Sequence, residues 1–202
     1  KKDNPKRAEA ERILNEQLAI FENYPGKGFF IRGERDWNNK QEGGLKAVLR
    51  QEKYLENYYN EKGKVHMYPG QGCGDPKVVK ITKDLVFVFL DTQWWLQNWS
   101  DESKMNKGCE IKSRHDLATR IQEIFTEHKN DEVVVMMHHP MYSNGIHGGR
   151  FGLKEHLLPF HEPGKVNIPL PIVGSLVPLY RNTVGGAQDL ANFRYQELMQ
   201  EM

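Results

Sequence analysis

The chain has 202 residues, enough for one domain with a sizeable buried core. Its 28 basic and 27 acidic residues leave a formal net charge of +1, which offers no basic excess for a nucleic-acid partner. The longest strongly apolar run, Leu85-Val-Phe-Val-Phe-Leu90, falls far short of the roughly 20 residues that cross a bilayer, so no transmembrane segment is expected.

From the N-terminus, Lys1-Lys-Asp-Asn-Pro-Lys-Arg7 leads into an amphipathic helix and not an apolar h-region, so no signal peptide is expected. Asn4-Pro5 supplies a capping side chain and a proline at the first helical position. Ala10, Leu14, Leu18 and Phe21 recur at helical spacing, and the helix is expected to stop near Tyr24-Pro25-Gly26. Phe29-Phe30-Ile31 reads as a short strand that runs out into Gly33-Glu34-Arg35-Asp36-Trp37. A second helix is predicted over 41–59, with Leu45, Val48, Leu49 and Leu55 on one face. The glycines and prolines of 68–76 then exclude regular structure. Residues 78–81 and 85–90 flank Thr82-Lys83-Asp84 as a hairpin, and the second strand ends in Asp91-Thr-Gln-Trp-Trp95. Ser113 caps a third helix predicted to reach His128, with Leu117, Ile121, Ile124 and Phe125 inward and His115 and His128 solvated.

Residues 133–137, Val-Val-Val-Met-Met, are too few for a helix and rich in β-branched side chains, so they read as a buried strand. That strand stops at His138-His139-Pro140, and His147 follows in a Gly-rich turn. Delivering histidines from a buried strand into a loop is how α/β folds place metal ligands or acid–base groups at a sheet's carboxyl edge. The plain alternative is a strand that ends at a proline, with its histidines on a solvated loop. From His138 to about Gly186 little periodicity is visible apart from a possible strand at 168–173, before a closing helix from Gln188. Alternating helices and strands, with one hairpin, indicate a layered α/β architecture with mixed sheets in a single domain spanning 1–202.

Cys73 and Cys109 each sit beside glycine and form no CxxC pair, so neither a zinc knuckle nor a thioredoxin-like site is expected. They would pair in an oxidising compartment and remain two thiols in a cytosol.

Gly33-Glu34-Arg35-Asp36, Leu90-Asp-Thr-Gln-Trp-Trp-Leu96, His139-Pro-Met-Tyr-Ser-Asn-Gly-Ile-His-Gly-Gly149 and Ile168-Pro-Leu-Pro-Ile-Val-Gly-Ser175 occur in order along nearly the whole chain. Together they resemble the calcineurin-like metallophosphoesterases, in a bacterial envelope branch related to the purple acid phosphatases. The resemblance implies a four-layer sandwich of mixed β-sheets flanked by helices. It also implies a dinuclear divalent metal centre (Fe, Mn or Zn) that generates a hydroxide nucleophile and neutralises charge during phosphoester hydrolysis. His138 corresponds to a metal ligand, His139 to a neighbour beyond the metal's reach, and His147 to a group near the substrate phosphate. The location implied is the bacterial periplasm or outer-membrane surface.

The chain departs from that pattern at Gly33-Glu34-Arg35-Asp36, where the family has Gly-Asn-His-Asp. Glu34 takes the position of a metal-binding Asn, and its longer stem would displace the cation. Arg35 stands for the proton-donating His and cannot cycle a proton, because a guanidinium stays charged. Asp36 keeps the orienting position without the His it would orient. The sequence opens in the helix that follows the family's first motif strands and stops in the helix before its last, Gly-His-x-His, motif. With His138, Glu34 and Asp36 as the whole inventory, two metals needing about six protein ligands are not expected to be held. The expected function is therefore phosphoesterase ancestry without catalysis. The alternative is a non-catalytic interaction or assembly module of the bacterial envelope, with 138–186 as its binding surface; Trp94, Trp95 and Trp99 are a second candidate surface, though these aromatics are expected instead to pack the sheet edge. Its partner would be a phosphoester substrate if active and an envelope protein otherwise. A third reading, a histidine-based or mononuclear metal hydrolase using His138, His139 and His147, lacks a paired nucleophile.

Overall fold

The computed structural model describes residues 5–38, 43–59, 63–97, 106–158, 168–170, 172–186 and 189–202. Among these the chain is mixed α/β, with seven α-helices and two small sheets. It divides into two compact units, one of Lys1–Leu117 with Phe125–His138 and the other of Ala118–Ile124 with His139–Met202.

In the first unit, helix α1 (Pro5–Ala19) buries Leu18 against Leu55, Val65 and Met67, with Leu14, Phe30, Tyr54 and Tyr59 at the margin. Its proposed cap, Asn4, lies outside the described residues. The two tyrosines are tied down by their polar ends, Tyr54 donating to Asn15 Oδ1 at 2.7 Å and Tyr59 to the Leu18 carbonyl. Strand β1 (Gly28–Phe30) pairs in parallel with β2 (Val65–Met67), a strand too short to show period-two alternation in the sequence. Helix α2 spans Gly44–Glu56, shorter than the predicted 41–59. It opens after Gly43, which holds the left-handed φ of 85° that glycine adopts without steric cost. A Cβ on the next residue, Gly44, would stand 2.6 Å from the Trp37 carbonyl oxygen, so the helix start and the Trp37 loop are closely fitted.

The second sheet runs β3-β4-β5. Strands β3 (Lys77–Lys80) and β4 (Leu85–Phe89) form the antiparallel hairpin, and β5 (Glu132–Met136) joins β4 in parallel with Phe87 opposite Val134. β4 is central and buries Val86, Val88 and Phe89. β5 is an edge strand, and its apolar run is only half-buried, with Val134 40% exposed, where the sequence reading expects a buried strand. A one-turn helix α3 (Thr92–Trp95) follows β4, its start capped by Asp91 accepting from the Trp94 N–H at 2.8 Å. Helix α4 (Arg114–Glu127) begins as the sequence predicts, with Ser113 Oγ accepting from the Asp116 N–H at 3.1 Å. His128 beyond its end is paired with Asp131 at 2.7 Å and is partly buried, not simply solvated. Cys73 and Cys109 are disulfide-bonded across 36 residues of sequence.

The second unit replaces the expected irregular stretch with short helices. These are a 3-10 turn at Ile146–Gly148, α5 (Leu153–Leu157), a 3-10 turn at Val173–Ser175 that continues into α6 (Leu176–Thr183), and α7 (Phe193–Gln200). The possible strand at 168–173 does not form among the described residues. Pro169 has no N–H for a ladder, and Ile172 adopts a left-handed φ of 71° that breaks any extended run. Pro178 is accepted within the first turn of α6, where N–H groups have no helical partner. Asn192 starts α7 by accepting from the Arg194 N–H at 3.0 Å, and Gln188, the expected start, lies outside the described residues.

Candidate functional site

In the first unit the ends of β1, β4 and β5 carry the polar residues singled out by sequence. Arg32, two residues beyond β1, is fully buried, and its guanidinium meets Asp91 at the end of β4, Nη1 to Oδ2 at 3.1 Å. Asp91 is equally buried and also accepts from the Trp37 indole N–H at 2.9 Å. Burial pushes the Asp91 carboxyl up, opposed by the Arg32 charge and by the N–H groups of Trp94 and Trp37. On the other side of the guanidinium, Glu52 of α2 stands 3.6 Å from Nη2, while its two oxygens share the Gln71 N–H at 2.7 and 2.8 Å. Among the described residues, Arg32 Nε and Nη2 have no hydrogen-bond partner.

The Gly33-Glu34-Arg35-Asp36 loop follows Arg32 directly and leads into Trp37, whose indole reaches Asp91. Asp36 accepts from the Gly33 N–H at 2.8 Å and from the Gln51 amide at 2.7 Å, so each of its oxygens holds a protein donor. Its role is to close its own loop and tie it to α2. Glu34 is half-buried and Arg35 is exposed. His138, the first residue past Met137 and β5, lies directly over Gly33: a Cβ on that glycine would come within 2.6 Å of the imidazole ring. The ends of β1 and β5 are thus brought together through a glycine that leaves room for a histidine. His138 itself is solvent-exposed, whereas His139 is buried.

Among the described residues, the groups of three or more His, Cys, Asp and Glu whose ligand atoms all lie within 4.8 Å of one another reduce to Cys73, Asp75 and Cys109. Both of those sulfurs are spent in the disulfide, and the Asp75 carboxylate accepts from the Glu110 and Ile111 N–H groups at 3.1 and 2.7 Å. His138, Glu34 and Asp36 form no such group.

The second unit holds a separate polar cluster around His147. Its Nδ1 lies 3.2 Å from Oδ1 of Asp189, which is buried. Arg181 of α6 grips the same carboxylate through two nitrogens, Nε to Oδ2 at 2.9 Å and Nη2 to Oδ1 at 2.5 Å, and the Gly186 N–H adds a contact at 2.7 Å. Burial alone would raise the Asp189 carboxyl; the Arg181 guanidinium, the Gly186 N–H and His147 outweigh it and hold the group below the usual carboxylate range. The imidazole is anchored through Nδ1, which leaves Nε2 as the nitrogen outside this pair, on a ring that is half exposed. Such an arrangement can present a proton donor or acceptor to a ligand in a fixed orientation. Sequence reasoning finds His147 and misses Asp189 and Arg181, which are 42 and 34 residues away and carry no local motif.

No family model, curated protein or solved structure matches this chain.

His139 and the tryptophans take structural places. The buried phenol of Tyr195 donates to the His139 and Pro140 carbonyls at 2.9 and 3.0 Å, and burial raises its pKa. Trp94 and Trp95 pack inside, as expected of these aromatics, and do not offer a surface: both indoles are buried, with Trp94 Nε1 donating to Asn106 at 3.3 Å. Trp99 lies outside the described residues.

Proposed function

We propose that this chain is a metallophosphoesterase-like domain of phosphoester hydrolase ancestry that keeps the strand-end scaffold of the fold and does not carry out the reaction. The observation that carries this reading is the seating of His138 on Gly33, which joins the two segments whose order resembles the family's ligand loops. The buried Arg32–Asp91 pair in the same unit supports the inactive half of the proposal. The Asp91 carboxylate is taken up by the Arg32 guanidinium, which cannot release its proton, and by the Trp37 and Trp94 N–H groups, so it is occupied by protein donors instead of a cation. The four-layer sandwich belongs to the same proposal, with the mixed α/β content and the β3-β4-β5 sheet as its support.

In this reading His147, held by Asp189, is the residue that would meet a phosphate oxygen, and a phosphoester is the ligand class of the ancestral site. The bacterial periplasm or outer-membrane surface is the proposed location. The disulfide supports an oxidising compartment. The second reading is a non-catalytic interaction or assembly module of the envelope, favoured by the apolar residues exposed between Met141 and Val184.

Hydrolysis of an aryl phosphate by the purified chain, with Mn²⁺ or Zn²⁺ added, tests the proposal. The expected result is no turnover above the metal-only blank. Metal-dependent hydrolysis that disappears in His138→Ala would overturn the inactive assignment.

A further inference from the structure

Two sulfurs and a carboxylate oxygen, from Cys73, Cys109 and Asp75, lie within 4.8 Å of one another, and the phosphoesterase reading makes no use of them. No CxxC spacing announces a metal site here, because 36 residues separate the cysteines and the fold alone assembles the group. In the oxidised chain the two sulfurs are bonded to each other. Their chemistry under reduction depends on whether the three residues stay together once that bond opens, and other contacts hold each of them. Gly72 and Gly74, on either side of Cys73, are closely packed: a Cβ on the first would run into Leu45 and on the second into the Trp94 ring. Cys73 also closes a turn, its N–H donating to the Gly70 carbonyl at 3.0 Å. The Cys109 N–H donates to the Asn106 carbonyl at 3.2 Å, and the Asn106 side chain is fixed between the Trp94 indole N–H and the Lys112 carbonyl. Asp75 links the two loops itself, Oδ2 accepting from the Glu110 N–H at 3.1 Å and Oδ1 from the Ile111 N–H at 2.7 Å. Each carboxylate oxygen keeps a second lone pair, so these bonds leave it able to ligate.

Donor chemistry selects the ion. Two thiolates and a carboxylate suit Zn²⁺, which takes sulfur and oxygen ligands in tetrahedral sites. Zn–S bonds of about 2.3 Å set two tetrahedral sulfurs roughly 3.8 Å apart, and Cα atoms 5.6 Å apart accommodate that by side-chain rotation. Both cysteines are buried while Asp75 is partly exposed, so the carboxylate edge gives the ion its path from solvent and a water as fourth ligand.

We propose that reduction of the Cys73–Cys109 disulfide converts this group into a zinc site, with both sulfurs and an Asp75 carboxylate oxygen as ligands. A dithiol reductant supplies two electrons and two protons, breaks the S–S bond and leaves as its own disulfide. Zn²⁺ then displaces the two thiol protons as two Zn–S bonds form. The same loops are thus joined by a covalent bond when oxidised and by a metal when reduced. This inference stands on the loops of the first unit and does not depend on phosphoesterase ancestry.

Titration with Co²⁺, a spectroscopic probe for tetrahedral zinc sites, tests it on the full chain in two states: oxidised, and reduced with dithiothreitol then desalted under argon. The reduced chain is expected to develop thiolate-to-cobalt charge-transfer absorption that saturates at one ion per chain and vanishes as Zn²⁺ displaces the probe. The oxidised chain should develop none. Cys73→Ser should abolish the site, and Asp75→Asn, which keeps an oxygen for the Ile111 N–H, should weaken it roughly tenfold or more. Zn²⁺ should also raise the melting temperature of the reduced parent and leave that of the oxidised parent unchanged. Absence of the absorption in the reduced chain would overturn the proposal, as would its presence in the oxidised one. Equal affinity in Asp75→Asn, or saturation at one ion per two chains, would do the same. So would a reduced chain that loses its circular dichroism and does not regain it with Zn²⁺.

Discussion

Arg32 is the residue on which the first unit's polar interior turns. Its charge is taken out of water against Asp91 and Glu52, and breaking a buried pair costs more than forming it gains, because the remaining charge stays desolvated. Asp91→Ala is therefore expected to lower stability by about 3–5 kcal/mol in urea unfolding. It also removes the acceptor for Trp37 and the cap of α3. Asp189 gives a pH-dependent test. Its folded carboxyl titrates below the unfolded one, so the stability it contributes is present above the ordinary carboxylate value and is lost as pH falls through the lowered one. At pH 7, Asp189→Asn should be less stable than the parent by about 1–3 kcal/mol. In thermal melts the two proteins should converge as the pH drops below about 4. A gap that stays constant to low pH contradicts the ionic role assigned to Asp189. Legibility in the sequence differs sharply among these residues. His138 was visible because it ends a β-branched run. Arg32, placed between Ile31 and Gly33, reads as an ordinary cation, since its burial depends on Asp91, 59 residues later.

The helices and strands that could be read were those with a local signal. The hairpin of β3 and β4 and the Ser113 cap of α4 follow from turn and capping residues alone. β2 and α3, of three and four residues, lack the length for any period, and α6 was obscured because its apolar residues face outward. β5 was legible as a strand and misjudged in burial: its Val-rich run lies at the edge of the sheet, where hydrophobic side chains and unpaired backbone invite association. Val134→Lys should therefore change stability by no more than about 0.5 kcal/mol and raise solubility measurably in concentration-dependent light scattering. The 36-residue disulfide link joins the Gly72-Cys73-Gly74 loop to the segment before α4. Replacing both cysteines by serine should destabilise the chain by roughly 4 kcal/mol on the loop-entropy scale, seen as a lower denaturant midpoint. An unchanged midpoint would show that the loops are held by Asp75 and its neighbours instead.

At the scale of the whole molecule, composition and alternation of elements were sufficient for the mixed α/β class. The division into two compact units was not legible, because it depends on contacts made by segments far apart in sequence. The described residues include a buried Arg32–Asp91 pair in the first unit and a His147–Asp189–Arg181 cluster in the second. Within the first, the Asp36 carboxylate is held by the Gly33 N–H and the Gln51 amide while His138 stands over Gly33, and the proposed function reads this as a retained scaffold without its metals. Metal stoichiometry decides it most directly. After exhaustive dialysis against Mn²⁺ and then Zn²⁺, elemental analysis of the chain should show fewer than two tightly bound ions, with no change in His138→Ala. Two ions per chain, lost together in that variant, would contradict the account.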